Sequence, residues 1–136
     1  MDDEHLRHNG ELELLYETLN RAARLAQQGS LDYQTLDPVG LIHPDRFQQP
    51  TEQALYQALI HLLPETQIAQ TTQEYDRLVA GLLALAPTVR DFFDGENSVM
   101  VMDSDPLIRE NRLNLLGVLR NQGRVLADFG AIVKGG

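Results

Sequence analysis

Apolar residues recur every three or four positions along four long stretches of this chain, and this periodicity constrains the fold more than any other feature. Such spacing places the apolar side chains on one face of a helix, so each stretch predicts an amphipathic helix. The one candidate strand, Val99–Met102, has no convincing second strand with which to pair. We therefore predict an all-α fold, a helical bundle of about four main helices. The four stretches are residues 11–28, 50–64, 72–87 and 106–129.

Prolines indicate where these helices begin, end or bend. Residues 30–50 contain three of the six prolines and predict a long linking segment that packs against the body of the domain. Pro64 is expected to kink or break the second helix, and Pro87 to end or bend the third. Ser104 or Asp105 can cap the last helix, because a proline follows them at the first helical position.

Length and composition predict one domain. The chain has 136 residues, of which 43% are hydrophobic, and this suits a single core. Residues 1–10 predict a disordered polar lead-in, residues 11–133 a single helical domain, and residues 134–136 a short tail. No apolar run approaches the roughly 20 residues of a membrane span, and the acidic N-terminus lacks the pattern of a secretory signal. With no cysteine present, these features favour a cytoplasmic protein without a membrane partner.

Charge is distributed unevenly along the chain. The formal net charge is −9 at pH 7, which argues against a stand-alone nucleic-acid binder, because phosphate contacts depend largely on lysine and arginine. Residues 1–103 carry six basic and seventeen acidic side chains, whereas residues 104–136 carry five basic and three acidic ones. The last predicted helix is therefore the segment with a basic surplus.

Four arginines of this last helix share one side. At about 100° per residue they fall within an arc of about 120°, and most apolar residues lie opposite; we call this the arginine side. Aligned guanidinium groups can form bidentate hydrogen bonds to phosphates, which makes the four arginines candidate RNA-binding residues. The pattern is equally typical of a solvated face whose arginines pair with acidic residues elsewhere. Leu113 and Leu116 also lie on the arginine side and need cover from another segment. The four arginines are Arg109, Arg112, Arg120 and Arg124.

No combination of residues predicts catalysis or metal binding. The sequence has no glycine-rich phosphate loop, no nucleophile motif and no His-Glu-x-x-His motif, so we expect no catalytic residue and no metal in this chain. Phe92 and Phe93 either stack on unpaired bases, as aromatic residues do in RNA recognition, or pack in the core. The Val99–Met102 run alternates valine with methionine, so one set is expected to face inward.

Several groups of residues together resemble a known protein family. They are Phe92-Phe93-Asp94, Val99-Met100-Val101-Met102, Ile108-Arg109-x-Asn111-Arg112-Leu113-x-Leu115-Leu116 and Ala127-Asp128-Phe129. In this order they resemble the C-terminal end of the β subunit of bacterial two-subunit glycyl-tRNA synthetase, in particular that of cyanobacteria. The likeness covers roughly residues 11–133. The loop at residues 94–98 departs from the family because it is longer than the usual turn.

The resemblance implies a helical anticodon-binding domain like that of arginyl-tRNA synthetase. It also implies that the domain holds tRNA for glycine, while the α subunit of a heterotetramer carries out the ligation with ATP. The chain would be a non-catalytic segment of that enzyme, without a cofactor of its own. The four arginines would contact the anticodon arm, and polar groups near the Phe92–Met102 loop would read its bases. The alternative is an acidic helical module that docks on another protein subunit.

Overall fold

Four long helices make up most of the fold. The computed structural model describes the backbone of residues 2–135 and the side chains of residues 10–126, and it contains no strand in this range. A short 3₁₀ helix, Pro44–Arg46, lies between the first two long helices. The predicted all-α bundle of four main helices is confirmed. The helices are α1 (Asp2–Ala26), α2 (Pro50–Thr72), α3 (Asp76–Asp94) and α4 (Pro106–Gly135).

The apolar faces of the four helices meet in one core. α1 packs along α4, α2 packs along α3, and α2 also contacts α4. Each helix contributes buried residues at helical spacing, because burial of an apolar face stabilises a helix in a protein more than its intrinsic propensity does. Examples are Leu15 and Ala22 on α1, Leu55 and Leu59 on α2, Leu82 and Val89 on α3, and Leu115 and Leu119 on α4.

The middle of α4 is buried on every side. Every residue from Asn111 to Gly123 is buried, although several of them are polar. Residues 27–49, between α1 and α2, lie across α4; we call them the connector. Gly117 allows this close approach, since a Cβ atom there would lie 2.7 Å from Cδ2 of Leu31. As predicted, the linking segment packs against the body of the domain, and it does so on the arginine side.

Pro64 and Pro87 lie inside continuous helices. α2 continues through Pro64 and α3 continues through Pro87, so neither proline ends or breaks its helix. Both prolines are exposed, so water can satisfy the carbonyl that lacks its usual N–H partner. Burial of residues on either side offsets the roughly 3 kcal/mol that an interior proline costs. α2 ends instead at Gln73, whose backbone is left-handed with φ of 62°, and α3 starts at Asp76.

The start of α4 lies where the sequence predicts it. The amide of Leu107 donates to the Asp105 carboxylate at 2.9 Å and satisfies a free N–H group of the first turn. α1 is helical from Asp2. Side chains before Gly10 and after Leu126 lie outside the described residues, so the predictions for residues 1–10 and 134–136 stay predictions. Over the part of the chain that the structure describes, no helix has an apolar stretch long enough to cross a bilayer.

Candidate nucleic-acid interface

The four arginines of α4 lie in two different environments. Arg112 and Arg120 expose only 3% and 6% of their surface. Arg109 is half-buried and Arg124 is exposed. RNA contact by all four stays a prediction, and the burial of two of them requires a structural explanation.

Arg112 belongs to a buried ion pair that joins three segments. Its Nε and Nη2 atoms donate to the Glu52 carboxylate at 3.2 Å each, and its Nη1 atom donates to the Met100 carbonyl at 2.8 Å. The Glu52 carboxylate also accepts the backbone amides of Gln48 and Gln49, which closes the N-terminus of α2. Arg112 therefore connects α4 to the start of α2 and to the loop that follows α3.

Arg120 holds the connector. Its Nη2 atom donates to the carbonyls of Leu31 and Asp32 at 3.3 and 2.7 Å, and its guanidinium lies 4.1 Å from the centre of the Tyr33 ring. Burial lowers the pKa of Arg120 from its usual value, but arginine titrates so far above neutrality that the side chain stays charged. Arg120 thus fixes both the connector backbone and the position of Tyr33.

Amide side chains of α4 complete the attachment. The Asn111 amide nitrogen donates to the His43 carbonyl, and the His43 backbone amide donates back to Asn111 Oδ1 at 2.8 Å. Asn121 Nδ2 donates to the carbonyls of Asp32 and Thr35 at 2.9 and 2.8 Å. These bonds give the buried connector backbone the partners that any buried backbone requires.

Helical periodicity alone did not reveal this role of the arginine side. A helical wheel describes one helix and contains no information about a segment that crosses it. Leu113 and Leu116 are buried, as their need for cover indicated. Asn111 and Asn121 beside the arginines were a further signal, because an amide can satisfy both the donors and the acceptors of extended backbone.

Replacement of Asn121 with alanine is expected to loosen the connector while the helices stay folded. The Thr35 carbonyl loses its hydrogen-bond donor, and we expect the free energy that holds the connector in place to fall by about 1–3 kcal/mol. Native-state hydrogen exchange should show faster exchange in the connector and unchanged protection in α3. Gln67→Ala, an exposed change on α2, is the matched control and should leave the connector unaffected. Equal exchange in both variants would contradict this role of Asn121.

Tyr33 displays an exposed ring beside cations. Its side chain is 51% exposed, and the Arg124 guanidinium lies 4.8 Å from the ring centre. Arg124 borders two shallow grooves. The groove toward the connector contains the exposed Tyr33, and the groove toward α1 contains the exposed Tyr16. We call this region the Tyr33 surface. Its members are Tyr16, Asn20, Tyr33, Gln34, Gln70 and Arg124.

Asp32 fixes the turn that carries Tyr33. Its carboxylate accepts the backbone amides of Gln34 and Thr35 at 2.8 Å each, and these bonds lower its pKa. A carboxylate whose folded-state pKa is lowered contributes its stabilisation above its usual pKa and loses it as the pH falls through the lowered value. At neutral pH the ionised carboxylate therefore holds the Tyr33 turn in place.

A second basic cluster lies where α1 meets α3. Arg21, Arg24, Arg90 and Phe93 line a groove, which we call the α1–α3 groove. Sequence reasoning missed it because its arginines come from two distant helices that only the fold brings together. Among the side chains of α1 that the structure describes, Arg21 and Arg24 lie in its C-terminal half, whereas the exposed carboxylates of Glu11 and Glu13 lie in its N-terminal half.

The segment around the phenylalanine pair is mainly a packing element. Phe92 is fully buried, and its ring meets the half-buried Phe93 edge to face at 5.7 Å between centres. Val101 is buried, while Met100 and Met102 are 72% and 45% exposed. The valines therefore form the inward-facing set of the run.

The helical bundle and its arginine–tyrosine surface together define an all-α domain with the chemistry of an RNA-binding module. The DALR anticodon binding domain family matches residues 15–127. Since the match covers most of the chain, the chain belongs to that family.

The chain is also similar to subunits of one ligase. It is 57% identical over 129 residues to the glycine–tRNA ligase beta subunit of Picosynechococcus sp., and 54% identical over 129 residues to that of Acaryochloris marina. Each alignment covers 95% of this chain and 18% of the relative. The beta subunit of Oleidesulfovibrio alaskensis is 40% identical over 116 residues, which are 85% of this chain and 16% of the relative. No solved structure matches the chain.

Proposed function

We propose that this domain binds the anticodon arm of tRNA for glycine, as part of a glycine–tRNA ligase β subunit. The observation that carries the proposal is the match to the DALR anticodon binding domain family over residues 15–127. The amino acid and the subunit are inferred from the similar proteins, which are beta subunits of glycine–tRNA ligase. The Tyr33 surface supports it, because exposed aromatic rings, amides and an accessible guanidinium suit the unpaired bases and phosphates of an RNA loop.

The four arginines have different parts in this proposal. Arg124 is exposed beside Tyr33 and contacts the RNA directly. Arg109 donates one hydrogen bond to the Asp103 carbonyl and keeps further N–H groups for a phosphate. Arg120 and Arg112 are positioning residues. Arg120 orients Tyr33, and Arg112 joins α4 to α2 through Glu52.

The parent enzyme supplies what this chain does not. In this proposal an α subunit completes a heterotetramer and uses ATP to activate glycine, and the enzyme works in the cytoplasm. The net charge of −9 repels RNA over much of the surface, so other parts of the β subunit contribute much of the affinity for tRNA. The domain itself is expected to bind weakly and with a marked dependence on salt.

The direct test is binding of a glycine anticodon stem-loop to the 136-residue chain, measured by fluorescence anisotropy at several salt concentrations. Tyr33→Ala is expected to weaken binding by about fivefold or more, because loss of a base-stacking ring costs about 1–3 kcal/mol. Arg124→Gln is expected to weaken it about fivefold at 0.1 M salt and to reduce the salt slope by about 1.

Arg77→Gln is the matched control for charge. Arg77 is exposed on α3 and pairs with Glu65 at 2.8 Å, and it lies outside the Tyr33 surface. Its loss should leave RNA affinity unchanged, and circular dichroism should show all variants folded. If the wild-type chain does not bind the stem-loop at low salt and high concentration, the alternative of an acidic protein-docking module is favoured.

A further inference from the structure

The α1–α3 groove contains a guanidinium that is already held in place. The Arg21 Cζ atom lies 4.3 Å from the centre of the Phe93 ring, and Arg21 Nη1 donates to the Asp94 carboxylate at 3.0 Å. The Arg21 side chain is nevertheless 46% exposed. One of its five N–H groups donates to Asp94, so the others are available to an acceptor on a ligand. Because the side chain is already held in place, binding costs it little conformational entropy.

Two further arginines lie in the same groove. Arg24 is one turn after Arg21 on α1, and Arg90 is one turn before Phe93 on α3, and both are exposed. Within residues 10–126 neither Arg24 nor Arg90 forms an ion pair. Three cations thus face two carboxylates, Asp94 and Glu17, in the groove. This local excess of positive charge contrasts with the net charge of −9 for the chain.

α1 separates the groove from the Tyr33 surface. Asn20 belongs to the Tyr33 surface, and the next residue, Arg21, lies in the α1–α3 groove. Consecutive residues of a helix point about 100° apart, so the two sites lie on adjacent sides of α1. One RNA hairpin that crosses α1 can reach both.

We infer that the α1–α3 groove binds the phosphate backbone of the RNA stem whose loop occupies the Tyr33 surface. The inference rests on the proposed function for the position of the loop. Bidentate guanidinium groups suit phosphate oxygens, and the half-buried Phe93, which lines the groove, offers an apolar contact for a ribose. Contact with the backbone adds affinity and fixes orientation, and it does not read sequence.

The test uses two RNA hairpins with the same stem, one carrying the glycine anticodon loop and the other an unrelated loop. In the double variant Arg24→Gln, Arg90→Gln, affinity for both hairpins should fall by the same factor, about fivefold for each arginine at 0.1 M salt. The salt slope should fall by about 2 in total. Arg77→Gln again serves as the control, since a surface ion pair contributes little to stability.

The outcomes separate the two proposals. If the double variant binds both hairpins as tightly as Arg77→Gln does, the groove does not hold RNA, and an acidic protein segment becomes its expected occupant. If the wild-type chain binds both hairpins equally well, recognition of glycine tRNA fails, while an equal loss in the double variant still supports the groove. If the wild-type chain binds neither hairpin at low salt, the inference about the groove is overturned as well.

Discussion

Replacement of Arg112 with methionine is expected to lower the free energy of unfolding by about 3–5 kcal/mol. The reason is that the fully buried Glu52 carboxylate loses its cation and remains buried and charged. A domain of this size has a total stability of about 5–15 kcal/mol, so the variant is expected to be marginal at physiological temperature. Chemical unfolding in urea, followed by circular dichroism, measures the change.

A double-mutant cycle isolates the ion pair. In a Glu52→Gln background, Arg112→Met should lower the free energy of unfolding by less, because the fully buried carboxylate is already absent, and the coupling should be about 1–3 kcal/mol. The partly exposed Asp103 carboxylate, 3.5 Å from Arg112 Nη1, loses its partner in both backgrounds. Arg90→Met is the control: it removes an exposed arginine and should lower the free energy of unfolding by no more than about 0.5 kcal/mol. A loss below about 1 kcal/mol for Arg112→Met would show that the pair does not hold the bundle together. Loss of RNA binding in an Arg112 variant is thus expected to reflect unfolding.

Phe92→Ala is expected to lower the free energy of unfolding by a similar amount, about 3–5 kcal/mol. Phe92 is fully buried in the core, so its removal leaves a large cavity as well as lost apolar burial. Phe93→Ala is the matched comparison because the same change affects a neighbouring ring that is half-buried and covered by Arg21. Urea unfolding of the two variants gives the difference directly.

The two phenylalanine variants should also differ in RNA binding. Phe93→Ala removes the ring on which Arg21 rests, so it should weaken binding at the α1–α3 groove while the protein stays folded. Phe92→Ala should reduce binding only to the extent that it unfolds the domain. Equal destabilisation by both variants would contradict the distinction between the buried Phe92 and the half-buried Phe93.

Local patterns predicted the helices well. Apolar spacing located all four, and Asp105 caps α4 through the bond to Leu107, as the sequence before a proline indicates. The break predicted at Pro64 and the helix end predicted at Pro87 do not occur, because the cost of an interior proline depends on tertiary packing on either side of it. The kink and the bend given as alternatives stay predictions. The end of α2 at Gln73 was not predicted, since a left-handed residue other than glycine or asparagine gives little signal in sequence.

The candidate site was harder to predict because it is made by contacts between distant segments. Sequence analysis treated the four arginines alike, but Arg124 is exposed, whereas Arg112 and Arg120 are buried by α2 and by the connector. The ring of Tyr33 lies against arginines that are far from it along the chain. Periodicity describes one helix at a time, so it could reveal neither that contact nor the α1–α3 groove.

The separation of charge along α1 has a consequence for how RNA approaches. Arg21 and Arg24 lie in its C-terminal half, and the exposed carboxylates of Glu11 and Glu13 lie in its N-terminal half. On the proposed interface, a polyanion is attracted at one end of this helix and repelled at the other. The two orientations of an RNA stem along α1 are therefore not equivalent. On this proposal, a stem that approaches in the reverse orientation dissociates before its loop reaches Tyr33. In the proposed complex, α1 acts as an electrostatic guide that favours one orientation of the RNA before any base is contacted.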